Sequence, residues 1–272
     1  MSRAGWRAIA TAAAVLARAP AAAQQGRPPA LPQYAVLGVD AVAIRHETRV
    51  AAGAVGAIAG TVTLGGGVRV SGVVAAPVVR VGPGTGVQRL FCDRVSGPPL
   101  LPSCRAFTPP VVDPALLSPV VATPGAQDVR IPRRTGTAPI GAGSYRDITV
   151  GREALLQLAG GSYSARSIRI GRAGRLLCVS ACRLTVAADV VLRRRAEIGA
   201  PSPDRADTVR IDIAGTPAVP AFSTRIRTRV SATIYAPGSA IILGPAGSYR
   251  GAYVGRTVTI GPGATVRADS AL

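Results

Sequence analysis

Short runs of alternating apolar and polar residues dominate the chain after residue 33. In one run Val209, Ile211 and Ile213 alternate with Arg210 and Asp212. A period of two places one set of side chains inward and the other outward, which is typical of β-strands. Gly or Pro ends most of these runs, and no long segment carries the apolar period of an amphipathic helix. The pattern predicts an all-β chain.

The runs recur together with the residues that separate them. Each copy consists of Gly-Ser-Tyr, a strand, a Gly, two variable residues, a small residue and a second strand. The copies open with Gly143-Ser144-Tyr145, Gly161-Ser162-Tyr163 and Gly247-Ser248-Tyr249, and their first strands are Ile148-x-Val150, Ile168-x-Ile170 and Val258-x-Ile260. Looser versions lie upstream, at Val62-x-Leu64-Gly65 and Val79-x-Val81-Gly82. A period near 20 residues without helices predicts a β-solenoid.

We therefore expect residues 34–272 to form one right-handed parallel β-helix, since parallel crossovers are right-handed. About ten turns at roughly 4.8 Å each would give a rod roughly 50 Å long. Gly and other small residues would occupy the corners. A β-sandwich also has many short strands, but it does not explain the recurring order of strand, Gly and small residue.

Residues 97–139 break the pattern because they are rich in Pro, which cannot donate a hydrogen bond inside a strand ladder. We expect this insertion to lie over the rod as an extended connection. It could instead cap an end of the solenoid, where open strand edges invite pairing with other chains.

Residues 1–23 have the pattern of a signal peptide, and residues 24–33 would be a linker. Arg3 and Arg7 precede an apolar run, and small residues end at Ala23. The alternative is a short N-terminal helix of a cytosolic protein. Export is the preferred interpretation, to the periplasm, the cell surface or the medium. No other segment is apolar and long enough to cross a membrane as a helix.

Four cysteines agree with export. Their spacing favours two local disulfides, Cys92–Cys104 and Cys178–Cys182. A zinc site is the alternative, but neither pair has the usual C-x-x-C spacing, and His46 is the only histidine. We predict no metal and no cofactor.

The formal net charge is +19, and every basic residue is Arg. Such a charge favours contact with polyanions, although the complete lack of Lys also fits the codon bias of a GC-rich genome. Groups of Arg near strands could form a linear basic surface if adjacent turns stack them. In particular, Arg225, Arg227 and Arg229 would share one strand face. The candidate polyanion-binding residues are Arg166, Arg169, Arg172, Arg175, Arg193, Arg194, Arg195, Arg225, Arg227 and Arg229.

Catalytic chemistry has few candidates. Hydrolysis of a glycoside needs two carboxylates in one cleft, but the acidic residues are scattered; Asp204 and Asp207 form the one tight group, in a loop. Hexapeptide-repeat acyltransferases also coil and depend on a catalytic His. His46 precedes the regular turns recognised in the sequence, which disfavours that activity. We predict no catalytic residue.

Three short motifs mark the C-terminal stretch: Tyr235-Ala236-Pro237, Val254-Gly255 before Val258-x-Ile260, and the closing Asp269-Ser270-Ala271-Leu272. With these motifs the stretch resembles an uncharacterised β-helical domain of bacterial exported, pilus-associated and surface-anchored proteins. The resemblance covers roughly the last 45 residues and implies an exported β-helix without an established activity.

Three functions remain open. The preferred one is a non-catalytic structural or adhesive scaffold of the envelope or cell surface, which could self-associate. The second is a binding protein that holds acidic polysaccharide or lipopolysaccharide through its Arg residues. The third is a polysaccharide lyase or hydrolase. A nucleic-acid partner is disfavoured because aromatic residues for base stacking are missing among the Arg residues.

Overall fold

The computed structural model describes residues 33–99, 103–105, 117–136 and 139–268. Within these ranges the chain consists of short β-strands and one 3₁₀ helix, Pro203–Thr208. The strands are β1 Tyr34–Ile44, β2 Arg49–Ala52, β3 Ala54–Ala57, β4 Thr61–Leu64, β5 Arg69–Ala75, β6 Val78–Val81, β7 Gly86–Phe91, β8 Arg94–Ser96, β9 Val129–Ile131, β10 Gly143–Ser144, β11 Asp147–Val150, β12 Leu155–Leu158, β13 Gly161–Ile170, β14 Arg175–Cys178, β15 Cys182–Leu192, β16 Glu197–Gly199, β17 Val209–Ile213, β18 Phe222–Thr224, β19 Arg229–Ser231, β20 Thr233–Leu243, β21 Ser248–Arg250, β22 Tyr253–Ile260 and β23 Thr265–Arg267.

All pairings between these strands are parallel, and they build a solenoid of about 11 turns, which confirms the predicted fold class. Each complete turn contributes a strand to each of three faces. The chain passes from face A to face B at a bend and from face B to face C at a corner. Face B stacks in the order β9, β11, β13, β15, β18, β20, β22, β1, β4, β6, β8.

The core is filled by ladders of inward apolar residues, most of them aliphatic. The ladder of face B includes Ile148, Ile168, Val190, Phe222, Ile241, Val258, Val42, Val62 and Val79 in register. Each of these side chains is at most 1% exposed. Truncating one member should cost about 2–5 kcal/mol of unfolding free energy, because it leaves a cavity between two turns.

The order of turns in space differs from their order in the sequence. The turn formed by β1 and β2 lies between the turn of β22 and β23 and the turn of β4 and β5. Seven residue pairs join β1 to β22, and backbone bonds such as Arg45 N to Ile260 O (2.9 Å) continue the contact into the corner. We call this contact, between residues 34–52 and 253–268, the junction. In the described structure, residues 89–99 and 103–105 form one end of the rod, and residues 125–136 and 139–140 form the other.

The Pro-rich segment connects the two ends of the rod, and its described part runs along face A. Leu117 contacts an outward apolar cluster that includes Leu37 and Ile58. The carbonyl of Ser118 accepts a hydrogen bond from Tyr235 Oη (3.0 Å), and Gly125 N donates to Tyr145 O near the far end (3.1 Å).

The Pro-rich insertion predicted at 97–139 ends earlier in the structure. β9 belongs to the rod, and Gly136 and Ile140 bridge to Leu155 and Leu158 of face C. Pro132 stands at a corner position where later turns, such as Gly151, donate a backbone hydrogen bond to the turn before. No described turn stacks on the outer side of β9, so an amide proton is not needed at the position of Pro132.

The corner between faces B and C repeats one backbone geometry. Its third residue has a φ between 51° and 69° in ten turns, at Glu47, Gly67, Gly84, Arg134, Glu153, Ala173, Arg195, Arg227, Ala246 and Gly263. The amide of this residue donates to the carbonyl of the second corner residue in the next turn, as Arg195 N does to Ile226 O (3.1 Å). The second position needs no amide proton, so Pro83, Pro245 and Pro262 are tolerated there.

The strand–Gly–x–x–small–strand repeat is confirmed as the step from face B through the corner to face C. The Gly-Ser-Tyr element is not a repeat unit. Gly143 pairs with Tyr163, so the first two copies are out of register. The third copy, with Ser248 on β21, lies on face C instead of face A.

Both predicted cysteine pairs lie at disulfide distance, with Cα–Cα distances of 5.3 Å for Cys92–Cys104 and 6.0 Å for Cys178–Cys182. The first ties the last turn near one end of the rod. The second closes the turn between faces C and A. The predicted signal peptide and linker lie almost wholly outside the described residues, as does the closing Asp269–Leu272.

Candidate functional site

Arginines from neighbouring turns neutralise most of the carboxylates on the rod surface. Arg146 donates two hydrogen bonds to Asp128 of the adjacent turn, at 2.8 and 2.7 Å. These bonds hold the pKa of the Asp128 carboxyl at about 2, below its usual 3.8. The carboxylates paired in this way or within their own turn are Asp40, Asp128, Asp147, Glu153, Asp189, Glu197 and Asp212.

The most buried of these carboxylates is Asp212, whose side chain is 3% exposed. It accepts hydrogen bonds from Nε of Arg183 (2.8 Å) and Nε of Arg210 (2.7 Å), so it offsets one of two positive charges. The Arg210 guanidinium also lies 5.3 Å from the ring centre of Tyr235. This cluster lies on face A, along which the described part of the Pro-rich segment runs.

The corner between faces B and C carries Arg residues of a different kind. We use the name corner ridge for the corners of three successive turns, residues 171–174, 193–196 and 225–228. Within the described part of the chain, Arg172, Arg193, Arg194 and Arg225 form no ion pair there. Their charges are therefore directed to solvent or to a ligand.

Beyond the corner ridge, the next two corners contain no long side chain. They read Gly244-Pro245-Ala246 and Gly261-Pro262-Gly263, and the corner after them begins with Arg45. The Gly and Pro residues leave a depression, which we call the saddle. It forms a groove of about 720 Å³ lined by Arg45, Arg172, Arg193, Arg194, Arg225, Ile226, Ile242, Pro245 and Pro262, among others. No carboxylate lines this groove in the described structure.

Only some of the Arg residues expected to bind polyanions are brought together here. Arg172, Arg193, Arg194 and Arg225 line the saddle. Arg195 and Arg229 line a second groove, of about 680 Å³, on the face C side.

Three further candidates are engaged by carboxylates. Arg166 pairs with Asp147. Arg169 pairs with Asp189 at 3.5 Å and Arg175 with Glu197 at 2.9 Å. These three Arg residues also leave the rod from different sides, because one turn winds through all three faces. They do not form one basic patch.

The prediction that Arg225, Arg227 and Arg229 share one strand face is wrong. β18 ends at Thr224 and β19 begins at Arg229, so the residues between them form a corner. Arg227 has a φ of 58°, and Ile226, which a strand through this segment would place inward, is 38% exposed. The alternation of Ile226, Thr228 and Val230 resembles a strand, but the left-handed residue turns the chain.

Sequence reasoning missed Arg45, Ile226 and Ile242 as residues of the groove. Arg45 reaches it through the junction, which no local pattern indicates. His46 was expected to precede the regular turns, but it occupies the exposed second position of a regular corner. Its carbonyl accepts a hydrogen bond from Gly263 N (3.1 Å).

Among the described residues, no three His, Cys, Asp or Glu side chains come close enough together to hold a metal ion. No described helix has the length and apolar composition needed to span a bilayer.

The fold and the surface define a parallel β-solenoid with an Arg-lined saddle on one corner. No family model, curated protein or solved structure matches the chain. The resemblance of its C-terminal residues to a β-helical surface domain therefore stays a prediction.

Proposed function

We propose that the chain is an exported, non-catalytic rod that serves as a structural or adhesive scaffold of the bacterial envelope or cell surface. The observation that carries the proposal is the continuous stacking of the turns. The ladder of face B passes through every turn, and ion pairs such as Asp128–Arg146 join neighbouring turns. Such a body is suited to holding a fixed shape, and two disulfides agree with an oxidising compartment.

A second role follows from the corner ridge, namely attachment to acidic polysaccharide. Several guanidinium groups without intramolecular carboxylates can make charge-assisted hydrogen bonds to uronate or sulfate groups. Adjacent turns are spaced by about 4.8 Å. Arg193 and Arg225 at the first corner position, and Arg172 and Arg194 at the second, therefore present their charges as two short rows along the axis. A row of this kind fits a linear polyanion.

The enzymatic alternative receives little support from the carboxylates. Hydrolysis needs one carboxyl group as acid and a second as base or nucleophile on the two sides of the bond. The hydrogen bonds from Arg166 instead lower the pKa of Asp147, which opposes the role of a general acid. Glu197 and Asp212 are each engaged by hydrogen bonds from Arg side chains of the rod.

The location is tested by fractionating the native host cells and probing each fraction with an antibody against the rod. Recovery in the envelope, at the surface or in the medium, without residues 1–23, would support the scaffold. Recovery in the cytoplasm with residues 1–23 intact would contradict it.

Polysaccharide attachment is tested by salt elution from immobilised heparin and alginate. We expect the triple variant Arg193→Gln, Arg194→Gln, Arg225→Gln to elute at much lower salt than the wild-type protein. The matched control carries Arg49→Gln, Arg69→Gln and Arg80→Gln, which remove the same net charge elsewhere. Equal losses in the two variants would show that only net charge acts, and would refute a site on the corner ridge.

A further inference from the structure

Two exposed isoleucines lie among the arginines of the saddle. Ile226 is 38% exposed and Ile242 is 37% exposed, and both line the groove. Ile226 is the second corner residue between Arg225 and Arg227, and Ile242 is the outward residue between buried Ile241 and Leu243 on β20. A polysaccharide needs only the charges, so the polyanion role leaves these apolar side chains unexplained.

The Gly-Pro corners extend this apolar surface. Pro245 and Pro262 stand at the second position of successive corners, and the flanking Gly244 and Gly261 carry no side chain. Gly244 could not carry one, since a Cβ there would lie 2.5 Å from the carbonyl oxygen of Arg225. The floor between the arginines is therefore both low and apolar.

Positively charged side chains border this apolar floor on both sides. Arg225 borders it on one side and Arg45 on the other, three turns further along the rod. Three turns correspond to about 14 Å. The groove volume of about 720 Å³ lies within the range of small-molecule sites, which are mostly apolar with a few convergent polar groups.

We infer that the saddle binds an anionic amphiphile, a phosphorylated lipid whose headgroup contacts the arginines and whose acyl portion covers Ile226, Ile242 and the two prolines. Guanidinium groups recognise phosphate by paired N–H donors. The acyl portion removes the exposed apolar surface from water. The inference rests on the proposed role of the corner ridge as the anion-binding side of the rod, and it adds the class of ligand.

The first test compares two probes that share a phosphate group. The full-length protein is titrated calorimetrically with inorganic phosphate and with monomeric dodecyl phosphate. We expect the alkyl phosphate to bind at least about tenfold more tightly, because burial of the chain against two isoleucines adds a hydrophobic contribution. Equal affinities for the two probes would overturn the inference.

The second test separates the apolar from the charged contacts. The double variant Ile226→Ser, Ile242→Ser should lose about tenfold in affinity for dodecyl phosphate while it keeps the wild-type salt elution from heparin. The triple variant Arg193→Gln, Arg194→Gln, Arg225→Gln should lose both activities. Wild-type affinity for dodecyl phosphate in the double variant would overturn the inference and leave polysaccharide attachment intact.

Vesicles then distinguish a lipid from a soluble anion. The protein should float with phosphatidylcholine vesicles that contain phosphatidylglycerol, and the double variant should float markedly less. Both isoleucines are partly exposed and outside the core, so circular dichroism should show the wild-type fold. Failure of the wild-type protein to float, together with retention on heparin, would refute the lipid ligand alone. Failure in both assays would refute the anion-binding role as well.

Discussion

Arg256 Nε lies 2.6 Å from Asp40 Oδ2, although the two residues are 216 positions apart in the chain. Asp40 belongs to β1 and Arg256 to β22, so this ion pair crosses the junction on the rod surface. Both side chains are about half exposed, so the pair contributes little free energy by itself. It shows that the first and last described turns pair as closely as turns that follow each other in sequence.

A disulfide across the junction tests this order of turns. Ala43 pairs in register with Thr259, and parallel partners lie close enough for a disulfide. The variant Ala43→Cys, Thr259→Cys should form an intramolecular cross-link and gain up to about 4 kcal/mol of unfolding free energy, because the link closes a very long loop. Mobility in non-reducing gels and urea titrations measure both effects. Each single variant is the control, and a cross-link found only between molecules would contradict the junction.

Two neighbouring corners test the cost of the left-handed backbone. Ala246 has a φ of 51° and is exposed, whereas Gly263 has a φ of 63° at the same position one turn further, with open space where a Cβ would be. We expect Ala246→Gly to stabilise the rod by about 1 kcal/mol and Gly263→Ala to destabilise it by about 1 kcal/mol. Urea unfolding followed by circular dichroism gives both values. Changes of the same sign would show that φ does not govern this position.

The ion pairs between turns predict a loss of stability in acid. The pKa of Asp128 is lowered to about 2, chiefly by the hydrogen bonds from Arg146, and the pKa of Asp147 is lowered by Arg166. An aspartate whose pKa is lower in the folded state stabilises that state above its unfolded pKa, near 3.8. The contribution is lost as the pH falls from about 4 through 2.

Urea titrations at a series of pH values measure this loss. Asp128→Asn should lower the unfolding free energy at pH 7 and have a much smaller effect at pH 2, which flattens the acid limb of the profile. Asp93 is exposed and forms no ion pair in the described part of the chain, so Asp93→Asn serves as the control with an unchanged profile. An unaltered acid limb in the Asp128 variant would refute the assignment.

The buried Tyr34 predicts a loss of stability at alkaline pH. Burial raises its pKa from 10.0 to about 12, and its buried hydroxyl has no hydrogen-bond partner among the residues that the structure describes. The raised pKa means that folding favours the neutral phenol, so the stabilisation is complete below pH 10. It is lost as the pH rises from about 10 through 12, where the unfolded chain ionises more readily.

Replacement of Tyr34 by Phe should therefore reduce the alkaline loss of stability. At pH 7 the variant should be as stable as the wild-type protein or more stable by about 1 kcal/mol, because an unsatisfied buried hydroxyl is removed. Burial also raises the pKa values of Tyr249 and Tyr253, so part of the alkaline limb will remain. A clearly destabilised variant at neutral pH would indicate that the hydroxyl has a partner.

The sequence was sufficient to predict the solenoid because its determinant is local. Period-two runs such as Ile168-x-Ile170, followed by Gly171, define a strand and its corner without knowledge of the neighbouring turn. The junction could not be predicted, since every turn presents the same aliphatic set to its neighbours. Val258 can stack on Ile241 and on Val42 equally well, so the pattern does not specify which turns are adjacent.

The candidate site was predicted only in part for the same reason. Whether an arginine is neutralised depends on the residue one turn away, as with Arg166 and Asp147, and this requires the register between turns. Arg227 was placed on a strand because nothing in its identity reveals a positive φ. At positions such as this one, tertiary contacts and not the local sequence decide whether a residue lies in a strand or in a corner.

Synthesis of the chain delivers residues 34–52 about 200 positions before residues 253–267, which form one of the two strand partners of this segment. Until then β1 retains an unpaired edge on that side, which other copies of the chain could occupy. Contacts separated by more than 200 positions also slow the final closure. A chaperone that keeps the early turns of different chains apart would therefore raise the yield of correctly folded protein. A chaperone that acts on the finished rod would raise it less.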